Sequence, residues 1–137
     1  MKNAILIVDD SRLNRETLAD ILKDKYNIIE AEDGRSGLEV LEKRKDDIVL
    51  VILDIVMPGM DGFAFMEEVR TRESIRNIPI VVATTENDYQ TEKRCLELGV
   101  WDFIPKVFQP EIIRFRVLNT IKRSMAHSLE HDGLTGL

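Results

Sequence analysis

Five short apolar runs, each followed by a segment with helical spacing, constrain this chain more than any other feature. The runs are Ala4–Val8, Asn27–Ala31, Ile48–Leu53, Ile78–Ala83 and Trp101–Ile104. Most are rich in β-branched residues, and Ile48–Leu53 is apolar throughout, the pattern of strands buried on both faces. Pro79 is tolerable near the start of the fourth run. The intervening segments are Arg12–Asp24, Ser36–Lys45, Phe63–Glu73 and Thr91–Leu98, with a long last one over Glu111–His131. Leu18, Ile21 and Leu22 fall at helical steps, as do Leu38 and Leu41, and Phe63, Met66 and Val69. Ser11 suits the cap of the first helix, and Gly99 suits the end of the fourth. Asp33-Gly34 ends the second strand.

Five successive βα units imply an α/β fold, with a parallel sheet covered by helices on both faces. A flavodoxin-like (βα)5 sheet of order 2-1-3-4-5 is expected, doubly wound, with its switch point between the first and third strands. With 137 residues the chain has room for one domain. Its net charge of -6 argues against a nucleic-acid-binding face. The single cysteine, Cys95, excludes an internal disulfide and fits a reducing compartment. The N-terminal apolar run is too short for a signal peptide or a membrane span. A soluble, cytoplasmic protein with no membrane contact is therefore expected.

The first and third runs both stop abruptly at carboxylates, Asp9-Asp10 and Asp54. Adjacent parallel strands would bring these three acids to one sheet edge, where open α/β folds bind ligands. Clustered acids repel, so the arrangement asks for a cation; Mg²⁺ prefers such oxygen ligands. The plainer alternative is that Asp9-Asp10 caps a helix and Asp54 merely ends a strand. Two more polar residues follow core strands, however: Thr84 after the fourth and Lys106 after the fifth. Together these groups can accept a phosphoryl group. A carboxylate acts as nucleophile, while Mg²⁺, a lysine and a hydroxyl stabilise the transferring oxygens. A Ser/His/Asp triad does not compete, because His127 and His131 both lie in the tail.

These segments resemble the receiver domain of two-component response regulators, over residues 4 to about 125. The resemblance is carried by Ile7-Val8-Asp9-Asp10-Ser11, by Val82-Ala83-Thr84-Thr85 and by Asp102-Phe103-Ile104-Pro105-Lys106. Its most specific part is Asp54-Ile55-Val56-Met57-Pro58-Gly59-Met60-Asp61-Gly62. The resemblance implies that Asp54 is the phosphoacceptor, charged by a histidine kinase or a phosphotransfer protein. Asp9, Asp10, Asp54 and the backbone carbonyl of Val56 would hold Mg²⁺. Thr84 would bond the phosphoryl group, Lys106 would pair with it, and Phe103 would be the switch aromatic. Val56 and Glu86 match positions that tune loss of the phosphate to water. One departure is that Val107, not proline, follows Lys106. A cis bond there would cost about 2.5–4 kcal/mol, so the loop is either strained or trans.

The last helix outruns the sheet. Leu118, Ile121 and Met125, with Ser128 or Leu129 next, step by three and four, compatible with a parallel coiled coil. The alternative is that Ile112, Phe115 and Leu118 pack on the sheet and the rest extends. Asp132-Gly133-Leu134-Thr135-Gly136-Leu137 resembles the opening of a GGDEF domain, the catalytic domain of diguanylate cyclases. The expected organisation is a receiver over 1–125, then a linker and the start of a truncated GGDEF domain over 126–137. The chain would be a regulatory domain rather than an enzyme, its parent a cyclase making cyclic-di-GMP. Phosphorylation would favour a homodimer through the fourth helix, fifth strand and fifth helix, together with the C-terminal helix. A stand-alone receiver acting by protein binding is a second possibility. A haloacid-dehalogenase-like phosphatase is a third, but Asp54-Ile55-Val56 lacks that family's second acid.

Overall fold

The computed structural model describes residues 2–85 and 88–135, with side chains as far as residue 127. Five strands alternate with five helices: β1 (Ala4–Val8), α1 (Arg12–Leu22), β2 (Asn27–Ala31), α2 (Gly34–Lys43) and β3 (Ile48–Leu53) come first. They are followed by α3 (Gly62–Thr71), β4 (Ile80–Thr84), α4 (Tyr89–Glu97), β5 (Asp102–Pro105) and α5 (Pro110–Thr135). The strands form one parallel sheet in the order β2-β1-β3-β4-β5. This is the doubly wound order expected from the sequence.

Successive strand residues point to opposite faces, and each face carries its own core. Leu6, Val8, Leu53 and Val82 pack under α2, α3 and α4. Ile5, Ile7, Ile52 and Val81 pack under α1 and α5. Both faces are covered, which is why β1 and β3 are almost wholly apolar.

Side-chain caps decide where four helices begin. Ser11, Asp33, Asp61 and Asp88 accept from the amides of Asn14, Ser36, Ala64 and Thr91 at 2.7–3.2 Å. Asp33 thus opens α2 rather than closing β2. For the same reason α2, α3 and α4 start at Gly34, Gly62 and Tyr89, one or two residues before the expected starts at Ser36, Phe63 and Thr91. β4 starts at Ile80 instead of Ile78, because Pro79 has no amide to donate to a ladder. α4 ends in a Schellman turn, with Gly99 at φ +86° and Val100 donating to the Cys95 carbonyl at 3.1 Å.

α5 departs most from expectation. Among its described side chains, Ile113, Val117, Thr120 and Ile121 are buried. Ile112 and Phe115 do not pack on the sheet; they are exposed. Ile121 belongs to the core with α1, so the expected seam through Leu118, Ile121 and Met125 is broken. The side chains of Ser128, Leu129 and the Asp132–Leu137 motif, and the whole of Glu86, lie outside the described residues. No helix among the described residues is long and apolar enough to cross a membrane.

Candidate functional site

Parallel pairing sets Val8 beside Leu53, and the Asp54 amide donates to the Val8 carbonyl at 2.9 Å. The next residues on the two strands, Asp9 and Asp54, therefore emerge side by side. Both are buried, at 2% and 4% exposure, while Asp10 is exposed. Carboxylate oxygens of Asp9, Asp10 and Asp54 all lie within 4.8 Å of one another. The Lys106 ammonium bridges the two buried acids, 3.1 Å from Asp9 Oδ2 and 3.2 Å from Asp54 Oδ1. Three carboxylates against one ammonium leave the cluster negative. Hard oxygen donors this close, and this excess of charge, suit a small divalent cation.

Burial and the Asp9 carboxylate push the Asp54 carboxyl above its usual range, and Lys106 offsets this only in part. The folded protein thus keeps a proton on Asp54 to higher pH than the unfolded chain does. Asp54 then costs stability once pH rises through its folded value, and costs nothing well below the usual carboxylate range. Without divalent cations, Asp54→Asn is expected to melt above the wild type at pH 7. The gain should vanish in acid, and Mg²⁺ should favour the wild type. Calorimetry in chelator across pH checks this; an Asn variant that melts lower at pH 7 would contradict it.

Thr84 closes β4 opposite Pro105 of β5. Thr84, Phe103, Lys106 and Arg116 line one cavity of about 450 Å³. Phe103 is half-buried, against the α2–α3–α4 core. The peptide between Lys106 and Val107 is trans, with no cis bond among the described residues. Val56 is exposed beside the cluster, and its nearby backbone amide helps to offset the rise at Asp54. The sequence-predicted residues Asp9, Asp10, Asp54, Thr84 and Lys106 thus sit at one edge of the sheet.

One group was missed by reading the sequence. Arg15 of α1 folds over the end of β1, donating from Nη1 to the Asp9 carbonyl at 2.6 Å and from Nε to Glu30 at 3.1 Å. With the Ser11 amide on Asp9 Oδ1 at 2.9 Å, it fixes the β1–α1 turn from both sides. Nothing in the spacing separates Arg15 from Arg12, which only pairs with Glu16 in solvent.

The profile of the response regulator receiver domain matches residues 5–118. The chain belongs to that family. This receiver is 34% identical over 107 residues to the two-component response regulator ORR3 of rice, covering 77% of this chain and 81% of that protein. It is 28% identical over 134 residues to a cyclic di-GMP phosphodiesterase of Thermotoga maritima, covering 97% of this chain but 35% of the enzyme. The chain therefore spans only about a third of that enzyme's length. Among solved structures, the receiver is similar to chemotaxis protein CheY4 of Vibrio cholerae, with a TM-score of 0.77 and 30% identity. That match covers 90% of this chain and 99% of the other. The receiver domain of a histidine kinase from Syntrophus aciditrophicus gives a TM-score of 0.79 at 30% identity, covering 88% and 90%. Family membership agrees with a regulatory domain rather than a conventional enzyme, and leaves no support for a dehalogenase-like phosphatase.

Proposed function

We propose that Asp54 accepts a phosphoryl group from a histidine kinase or phosphotransfer protein in the cytoplasm. The observation that carries this reading is the buried pair Asp9 and Asp54 bridged by Lys106, with Asp10 in reach. Asp9, Asp10, Asp54 and the Val56 carbonyl would hold Mg²⁺, which when bound neutralises charge on the transferring oxygens. An Asp54 oxygen bonds to phosphorus as the donor's bond breaks. Lys106 then pairs with the phosphoryl group, and the Thr84 hydroxyl donates to it. The group adds about -1.5 to -2 charges and strong acceptors. Thr84 is drawn toward it, and Phe103 turns inward through the cavity they share, altering the face made by α4, β5 and α5. The direct test is intact mass after acetyl phosphate and Mg²⁺. A gain of one phosphoryl mass is expected, and no gain would reject the reading.

We assign the receiver to 1–125, and 126–137 to a linker and the start of a GGDEF output domain. The six-residue tail motif supports this output. The Thermotoga relative favours a second one, an enzyme that degrades cyclic-di-GMP, because the likeness runs through 97% of the chain. Assaying the parent protein separates them: GTP converted to cyclic-di-GMP supports the cyclase, and loss of added cyclic-di-GMP supports the phosphodiesterase. A parent that does neither fits a receiver acting through protein binding.

A further inference from the structure

Asp10 is held differently from the other two acids of the cluster. It is exposed, and its carboxylate takes no hydrogen bond or ion pair among the described residues. Yet one of its oxygens lies within 4.8 Å of oxygens on Asp9 and Asp54. Like charges this close repel, so the carboxylate would swing outward if its backbone were free to turn. Its place in the cluster therefore depends on the residue before it.

Every polar group of Asp9 is engaged. Its amide donates to the Ala31 carbonyl of β2 at 3.1 Å. Oδ1 accepts from the Ser11 amide at 2.9 Å, and Oδ2 meets the Lys106 ammonium at 3.1 Å. Its carbonyl has left the ladder of β1 and is met instead by Arg15 Nη1, at 2.6 Å. The peptide is planar, so holding the Asp9 carbonyl also sets the direction in which Asp10 leaves. Arg15 is itself anchored twice. Its amide donates to the Ser11 carbonyl at 3.1 Å, and Nε reaches Glu30 at 3.1 Å. Glu30 lies on β2 opposite Ile7 of β1, so the planar fork of the guanidinium spans the ends of two strands. The Arg15 side chain is only 13% exposed, against 82% for Arg12 on the same helix.

We propose that Arg15, braced by Glu30, is a positioning residue for the cation site: it locks the Asp9–Asp10 peptide so that both carboxylates converge beside Asp54. The proposal rests on the reading of this cluster as the Mg²⁺ site for phosphoryl transfer. Charge and positioning predict opposite signs for Arg15. A cation near the site disfavours Mg²⁺, so a purely electrostatic role means that neutralising Arg15 tightens binding. A positioning role means that it weakens binding, as loss of a group that orients a metal ligand does.

Calorimetric titration of the full chain with MgCl₂ is the test. Arg15→Met should weaken Mg²⁺ binding about 10–100-fold. Arg15→Lys should recover part of the loss, because one ammonium cannot serve Asp9 and Glu30 in the same fork. Glu30→Gln should weaken binding less than Arg15→Met, and it tests the brace without removing the guanidinium. Arg12→Met removes the same charge one turn earlier and should leave the affinity unchanged, because its pair with Glu16 is solvated. In chelator, the Ser11 amide should exchange its hydrogen faster in Arg15→Met than in the wild type. Labelling by acetyl phosphate should slow in Arg15→Met at limiting Mg²⁺ and recover at saturating Mg²⁺. Wild-type or tighter binding in Arg15→Met, or a labelling defect that saturating Mg²⁺ does not relieve, would overturn the proposal. A lower melting temperature with unchanged Mg²⁺ affinity would also overturn it, leaving Arg15 a purely structural role. A wild type that binds no Mg²⁺ would instead remove the cation-site reading beneath it.

Discussion

Asp54→Asn is expected to gain no phosphoryl mass from acetyl phosphate, while the wild type gains one group. The amide keeps the carboxylate's shape but has no anionic oxygen to attack phosphorus, so the acyl phosphate cannot form. Burial matters as much as identity. At 4% exposure, Asp54 is shielded from bulk water and opposed by Asp9, so its charge is poorly compensated until a cation binds. Chelation of Mg²⁺ should therefore abolish labelling of the wild type, although every side chain is present. Lys106→Met should slow labelling by about 10²–10³-fold, the usual effect of deleting one donor aimed at developing negative charge. The order Asp54→Asn, then Lys106→Met, then wild type is the check, read from acid-quenched mass spectra. Label retained in Asp54→Asn would identify another acceptor, and peptide mapping would show whether Asp9 or Asp10 had taken its place.

How far the sequence alone revealed this arrangement depends on the residue. Asp9, Asp54, Thr84 and Lys106 were legible because each follows an apolar run, and parallel strands gather their C-terminal ends at one edge. β1 and β3 were legible to the residue because their apolar runs stop at hard polar boundaries, and β2 was placed correctly although it contains Asn27 and Glu30. Arg15 was not, because an arginine on a helix looks the same whether it meets solvent or folds back over a strand end. α5 was misread for a related reason. Ile112 and Ile113 are neighbours on a helix with apolar residues on both faces, and only the position of the sheet decides which one is buried. Once Ile113 faces inward, Phe115 must face out.

Gly62→Ala is expected to damage both the fold and the phosphoryl chemistry, for a reason that the motif does not reveal. A Cβ at Gly62 would lie 2.5 Å from the Asp54 carbonyl oxygen, 2.7 Å from Ile55 Cα and 2.8 Å from Ile55 Cδ1. Two of these are backbone atoms of the strand end that presents the acceptor. The Gly62 amide also donates to the Ile55 carbonyl at 2.8 Å, closing the loop at the start of α3. Relief of the clash must push α3 outward or drag Asp54 from its position beside Asp9 and Lys106. Overpacking of this kind typically costs about 1–3 kcal/mol, and the contact here is with backbone rather than a flexible side chain. Gly59 supplies the contrast. It has nothing within 4 Å of an added Cβ but sits at φ +73°. Gly59→Ala should therefore cost only the left-handed backbone penalty of about 1–2 kcal/mol. Denaturant melts of both variants give the stability ranking, and labelling at a temperature where both are folded separates the effects. Gly59→Ala should label at nearly the wild-type rate, and Gly62→Ala should label slowly even when folded. A Gly62→Ala protein with wild-type stability and rate would show that the α3 entry can relax without moving Asp54.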